Sequence, residues 1–141
     1  MMFRDGMLKF AVILTPVLFF AAEAPRSVWE GVYSAEQSQR GQKTYNEECS
    51  RCHAEALTGG ENSPELVGAD FLARWDGQTA GDLFEKMRTS MPTDSPGRLG
   101  RQQYADVLAY IFNANKFPPG PKELDRETAA LKQIKIQAKH P

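Results

Sequence analysis

Cysteine and histidine are scarce in this 141-residue chain, with two of each. A tetrahedral zinc site needs about four ligands. Cys49, Cys52 and His53 supply three, and the remaining histidine, His140, stands beside the C-terminus. Charge of one sign is also missing, because 17 basic against 18 acidic side chains leave a formal net charge of -1. Such a balance gives no strong field for nucleic acid or for an anionic membrane surface. A long apolar run is absent too. The N-terminal run Phe10 to Ala22 holds 13 residues, where a spanning helix needs about 20. No repeat recurs along the chain, and no strand-like alternation flanks the cysteines.

That short apolar run still carries information. It follows a segment with Arg4 and Lys9 and ends at Ala22-Glu23-Ala24, a small-x-small pattern like the cleavage site of a secretory leader. Pro25 follows at once and is a poor residue at such a bond, which leaves an uncleaved interfacial anchor as the alternative. Residues 1–24 therefore read as a signal peptide or N-terminal anchor, and the rest as a domain exported to the periplasm. Residues 25–120 form the expected domain and residues 121–141 a C-terminal extension. The body is mildly acidic and the extension mildly basic.

The strongest signal is Cys49-Ser50-Arg51-Cys52-His53. Two thiols about one helical turn apart, followed at once by an imidazole, suit two thioether links to the vinyl groups of one haem with the histidine on its iron. Two blander readings compete besides zinc. A thioredoxin-like redox pair needs a strand–helix context, and a disulfide across so short a loop constrains the unfolded chain little. The balance favours one covalent haem c. A chain of this size buries only a modest core by itself, so a large flat apolar group at its centre predicts a poorly folded apo-protein.

Helical periods dominate the remainder. Ser34-Ala35-Glu36-Gln37 is a capping-box pattern with Ser34 as N-cap and Gln37 at N3. The helix it opens places Gly41, Tyr45 and Cys49 on one face, and Gly41 implies close approach by another helix. Thr58 to Pro64 is a loop by composition. Leu66, Phe71, Leu72 and Trp75 suit a wall folded over something apolar. Thr79-Ala80-Gly81-Asp82 opens a second helix with Ala80, Leu83, Phe84, Met87 and Met91 on its stripe, and Pro92 stops it. A third helix runs roughly from Gly100 to Ala114. The extension reads as a short helix followed by an extended stretch around Ile134 to Gln137, or as a loosely ordered tail.

The sixth iron position decides between electron transfer and catalysis or gas binding. Met91 is the candidate ligand, 38 residues beyond His53 and directly before Pro92. Met87, one turn earlier, reads as a core filler, and a water or an external ligand is the remaining choice. His140 reads as solvated.

Taken together these motifs resemble the class I cytochromes c over about residues 34–120. The family's glycine and aromatic, eight and four residues before the first haem cysteine, correspond to Gly41 and Tyr45. Its Gly/Ser-Pro-x-Leu-x-Gly stretch corresponds to Ser63-Pro64-Glu65-Leu66-Val67-Gly68, and its last helix to Asp106 to Ile111, with Val107 and Tyr110 facing the first helix. The resemblance implies an all-α class I cytochrome c fold, three main helices plus loops around one covalently attached haem. It implies that the Pro64 carbonyl accepts the Nδ1–H of His53, that Leu66 lies against the haem, and that Trp75 either reaches a propionate or packs as wall. Phe71 to Trp75 with Met91 to Gly97 is similar to small bacterial cytochromes that serve quinoprotein dehydrogenases. The simplest relatives end near Gly120, where this chain continues.

The function implied is a periplasmic one-electron carrier with His53 and Met91 on the iron, not an enzyme, taking electrons from a dehydrogenase and passing them to an oxidase or another cytochrome. No small-molecule substrate and no nucleic acid are expected, and a membrane only through a retained N-terminal segment. The alternative is a five-coordinate haem c protein with peroxidase or gas-binding activity.

Overall fold

The computed structural model describes residues 26–141, so the leader or anchor expected over residues 1–24 lies outside the described residues. Among the described residues no helix is long and apolar enough to cross a membrane. In chain order the elements are β1 (Arg26–Ser27), a 3-10 turn (Val28–Glu30), α1 (Ala35–Glu48), α2 (Ser50–His53), α3 (Ala69–Trp75), α4 (Ala80–Ser90), α5 (Arg101–Ala114), α6 (Thr128–Leu131) and β2 (Ile134–Lys135). Among the described residues, six helices against two strands of two residues each make the fold all-α.

The three longest helices are those expected from the caps and stripes. Ser34 starts α1, its hydroxyl accepting the N–H of Gln37 at 3.1 Å. The return arm of that box does not form. The Gln37 carboxamide instead donates to the Leu124 carbonyl at 3.1 Å and accepts the Leu124 N–H at 2.7 Å. A backbone that offers both a donor and an acceptor satisfies the whole amide, which a single N-cap N–H does not. At α4 the box is complete: Asp82 N–H donates to Thr79 Oγ1 at 3.1 Å, and Thr79 N–H donates to the Asp82 carboxylate at 2.9 Å. Helix α4 ends at Ser90 with Met91 as its cap, because Pro92 has no N–H to extend the ladder. Helix α5 begins one residue later than the sequence suggests, with Gly100 serving as cap.

Helices α1 and α5 cross at Gly41. A Cβ built there would collide with the Asp106 carbonyl oxygen, so only glycine lets the two backbones come this close. Around the crossing lie Tyr33, Tyr104, Phe71, Phe84 and Phe112, each with 2 % exposure or less. Burying side chains of this size stabilises the fold by about 1.5–3 kcal/mol apiece. Phe117 meets Phe112 and Trp29 edge-on, with ring centroids 5.7 and 4.8 Å apart.

The extension packs on the body as a short helix and an extended stretch. β2 pairs in parallel with β1, Arg26 opposite Ile134 and Ser27 opposite Lys135. Leu124, Leu131, Ile134 and Ile136 are buried in the same core as the helices. The Trp29 indole N–H donates to the Gln137 carbonyl at 3.0 Å.

Candidate cofactor site

The cysteines lie at a break between helices. Cys49 caps α1 at φ -124° and ψ -35°, so the face expected to run from Gly41 through Tyr45 to Cys49 ends at that residue. The chain then coils once more as α2: Cys52 and His53 N–H donate to the Cys49 carbonyl at 3.1 and 3.0 Å. Ala54, at φ 64°, turns the backbone out of this coil. The buried Tyr45 holds the turn, its hydroxyl donating to the Ala54 carbonyl at 2.7 Å.

His53 is 8 % exposed, and its Nδ1 lies 2.9 Å from the Pro64 carbonyl oxygen. A carbonyl only accepts, so the proton sits on Nδ1 and the Nε2 lone pair is left for another partner. Asn115 at the end of α5 steadies the loop that supplies this carbonyl. Its amide donates to Leu66 O at 2.9 Å and accepts Gly68 N–H at 3.1 Å. Sequence reading missed Asn115, because an asparagine at a helix end looks like a local cap.

A cavity of about 400 Å³ opens beside the imidazole, within the roughly 300–1,000 Å³ range of sites that enclose a small molecule or cofactor. Cys49, Cys52, His53, Pro64, Leu66, Trp75 and Met91 all line it. So does Met87, and the aliphatic floor comes from Leu83, Val107 and Ile111. His140 lies elsewhere, its ring 5.0 Å from that of Trp29.

The alternatives to haem fit poorly. Burial, reinforced by the Glu48 carboxylate and opposed by Arg98, pushes the Cys49 thiol up to about 11, whereas a redox-active dithiol needs a lowered value. Among the described residues no three His, Cys, Asp or Glu side chains gather to hold a metal ion, so the cysteines and His53 do not converge as zinc ligands would. Two thiols one turn apart, an imidazole with a fixed tautomer, thioether sulfurs and an aliphatic floor fit a haem c.

Charged side chains ring the mouth. Arg98 Nε donates to the Glu48 carboxylate at 2.9 Å and its Nη1 to Asp94 at 3.2 Å. Arg51 meets Asp94 at 3.6 Å.

A comparison with curated proteins returns no match. Among solved structures the chain resembles the sulfane dehydrogenase SoxCD from Paracoccus pantotrophus at 17 % identity, with a TM-score of 0.51 over 85 % of this chain and 68 % of that one. That likeness concerns the fold alone. Residues 36–111, more than half of the sequence and reaching from α1 through the Cys-x-x-Cys-His turn into α5, match the family described as cytochrome C oxidase, cbb3-type, subunit III, and the chain belongs to that family of cytochrome c domains.

Proposed function

We propose that this chain is a periplasmic one-electron carrier in which Cys49 and Cys52 hold a single haem c through thioether bonds and His53 and Met91 bind its iron. Family membership brings haem c, electron transfer and redox protein partners. The ligand set, the single haem with its two thioether bonds and the role as a periplasmic carrier are the proposal. When bound, haem c supplies an iron centre that alternates between ferric and ferrous states.

The protein's own part is to hold, orient and shield. The observation that carries the reading is the His53–Pro64 hydrogen bond at 2.9 Å, on a wall of the cavity that both cysteines and both methionines line. It fixes the tautomer a metal needs and raises the basicity of the free nitrogen. On this reading Met91 offers a neutral, soft sulfur that favours the ferrous state, and Met87 fills the space behind it. Leu66, Leu83, Val107 and Ile111 keep water from the centre, and the Trp75 indole N–H is available to a haem propionate. With His53 and Met91 both holding the iron, no site would remain for a substrate, and no bond would be made or broken. The partners are then a dehydrogenase that donates electrons and an oxidase or cytochrome that accepts them. The family's own description names an oxidase subunit, which favours an oxidase as the acceptor.

The test combines two spectra. A pyridine haemochrome assay on protein from a host that matures haem c is expected to report one covalent haem per chain. The weak long-wavelength band of a methionine–iron bond is expected in the ferric wild type and in Met87→Ala, and lost in Met91→Ala. The reduction potential of Met91→Ala is expected to fall by on the order of a tenth of a volt, within the roughly 0.8 V that axial ligands command. Colourless protein, or a band that survives Met91→Ala, rejects the assignment.

A further inference from the structure

We infer that Arg98 is a positioning residue for the sixth iron ligand: its guanidinium staples the loop that follows Met91 to the end of the helix that precedes Cys49. The inference rests on the reading of Met91 as a ligand and adds the device that keeps it in place.

Met91 itself is held from within. Its N–H donates to the Met87 carbonyl at 2.9 Å, and its own carbonyl accepts the hydroxyl of the buried Tyr104 at 2.7 Å and the N–H of Gly97 at 3.3 Å. The segment beyond it is different. Residues 93–98 are all exposed, and apart from the Gly97 bond to Met91 their backbone bonds reach no further back than Pro92: Ser95 N–H to Pro92 O at 3.0 Å, Arg98 N–H to Ser95 O at 3.3 Å. Such a loop has little apolar burial to hold it closed, and segments of this kind open at low cost.

Arg98 supplies what the loop lacks. Its Nε and Nη2 both engage Glu48, and its Nη1 lies 3.2 and 3.3 Å from the two Asp94 oxygens. Glu48 is the last residue of α1, so one planar guanidinium bonds a wall that carries Cys49 and a loop that starts at Met91. Arg51 on α2 adds a second, longer link to Asp94 at 3.6 Å. A planar fork loses less freedom per bond than an ammonium, which favours arginine at such a bridge. Two cations and two anions alternate here and sum to zero, so this cluster provides little field to steer a charged partner. Its use is geometric. The side chains of Arg98 and Glu48 are 37 % and 27 % exposed, so the staple is weaker than a buried pair and salt weakens it further.

The experiment follows imidazole, kept above its own pKa, as it binds the ferric holoprotein in wild type, Arg98→Gln, Glu48→Gln, the double variant and Met91→Ala. Loss of the staple is expected to speed imidazole binding about fivefold, the scale of a bidentate surface pair. Arg98→Gln, which also loses Asp94, is expected to give the larger gain, Glu48→Gln most of it, and the double variant no more than Arg98→Gln alone, since the two changes share one interaction. Raising the salt is expected to move the wild type toward the variants and leave the variants unchanged. A fall in denaturation midpoint with the wild-type binding rate makes Arg98 merely structural and overturns the inference, while the methionine–iron band in wild type keeps the ligand assignment standing. Absence of that band in wild type, or an unaltered rate in Met91→Ala, overturns the ligand assignment and the inference with it. Should Arg98→Gln fail to fold, Glu48→Gln supplies the same reading.

Discussion

The two ends of helix α1 border different kinds of interior. At its N-terminal end, Gln37 is fully buried and both of its amide atoms pair with the backbone of Leu124. Nearby, the buried Tyr33 hydroxyl donates to the Phe117 carbonyl at 2.5 Å, and burial pushes its pKa up to about 12. Aromatic edges and aliphatic side chains pack beside these pairs, and the cavity of about 300 Å³ between Arg26, Val32 and Leu124 is the smaller of the two described. At the C-terminal end, Cys49 faces a cavity that has buried Leu83, Val107 and Ile111 on one side and half-buried Leu66, Trp75, Met87 and Met91 around it. One region pairs its buried polar atoms within the polypeptide. The other has its walls fixed and its donors aimed, but protein atoms alone do not close it.

The largest effect that would test this contrast comes from preventing haem attachment. In a Cys49→Ala, Cys52→Ala double variant, amide hydrogen exchange in α2, α3, α4 and the loop of residues 54–68 is expected to rise by orders of magnitude. The N-terminal half of α1, the middle of α5 and the extension are expected to keep most of their protection. The poorly folded apo-protein expected from the sequence thus becomes a protein poorly folded on one side. A single cooperative transition, equal in midpoint to that of the holoprotein, would break the comparison.

A smaller effect probes the closed side. Gln37→Ala leaves the buried N–H and carbonyl of Leu124 without partners, at about 1–3 kcal/mol for each orphaned group. A loss of about 2–6 kcal/mol in chemical denaturation of the holoprotein is therefore expected, with the visible spectrum unchanged. Met91→Ala should behave in the opposite way, altering the spectrum strongly and stability weakly. A Gln37→Ala variant as stable as wild type would show that the extension is not anchored there.

These two regions also differ in how far they can be read from sequence. Cys49, Cys52, His53 and Ser63-Pro64 lie within fifteen residues of one another, and spacing alone brings them together in any compact chain that coils at the cysteines. The helices announce themselves through Ser34, Thr79 and Pro92 and through stripes of period 3.6. The closed side depends on partners far apart in the chain, such as Gln37 with Leu124, Tyr33 with Phe117 and Trp29 with Gln137, and no periodicity records such pairs. Gln37 shows the cost of a purely local reading. At N3 it looks like half of a capping box, yet the extension offers its amide two partners where the cap offers one. Ala54, Leu57 and Lys116 adopt positive φ values of 64°, 59° and 68°, and none is a residue type that signals a left-handed turn. Their conformations come from the loops and helix ends they terminate.

Helix α4 belongs to both regions, and its smallest testable effect asks how independent they are. Met87 lines the cavity, while Glu85 faces the extension and accepts the Thr128 hydroxyl at 2.5 Å and Arg88 at 2.8 Å. Hydrogen bonds from Arg88 and then from Thr128 pull its carboxyl from 4.5 to about 2. A carboxyl whose folded value lies below its unfolded value stabilises the fold fully above about pH 4.5, and that contribution disappears as the pH falls through about 2. Glu85 and Arg88 have 31 % and 36 % of their side chains exposed, so solvent screening reduces the effect to about 1 kcal/mol. Glu85→Gln is expected to flatten the acid limb of the stability curve between about pH 4.5 and 2. Part of the slope should remain, because hydrogen bonds from Thr79 also hold Asp82 below its usual range. If the two regions are independent, the variant shifts only this limb and leaves imidazole binding at the wild-type rate. If imidazole binding speeds up as well, α4 transmits the state of the extension to Met91, and the contrast between a closed side and an open side describes packing but not dynamics.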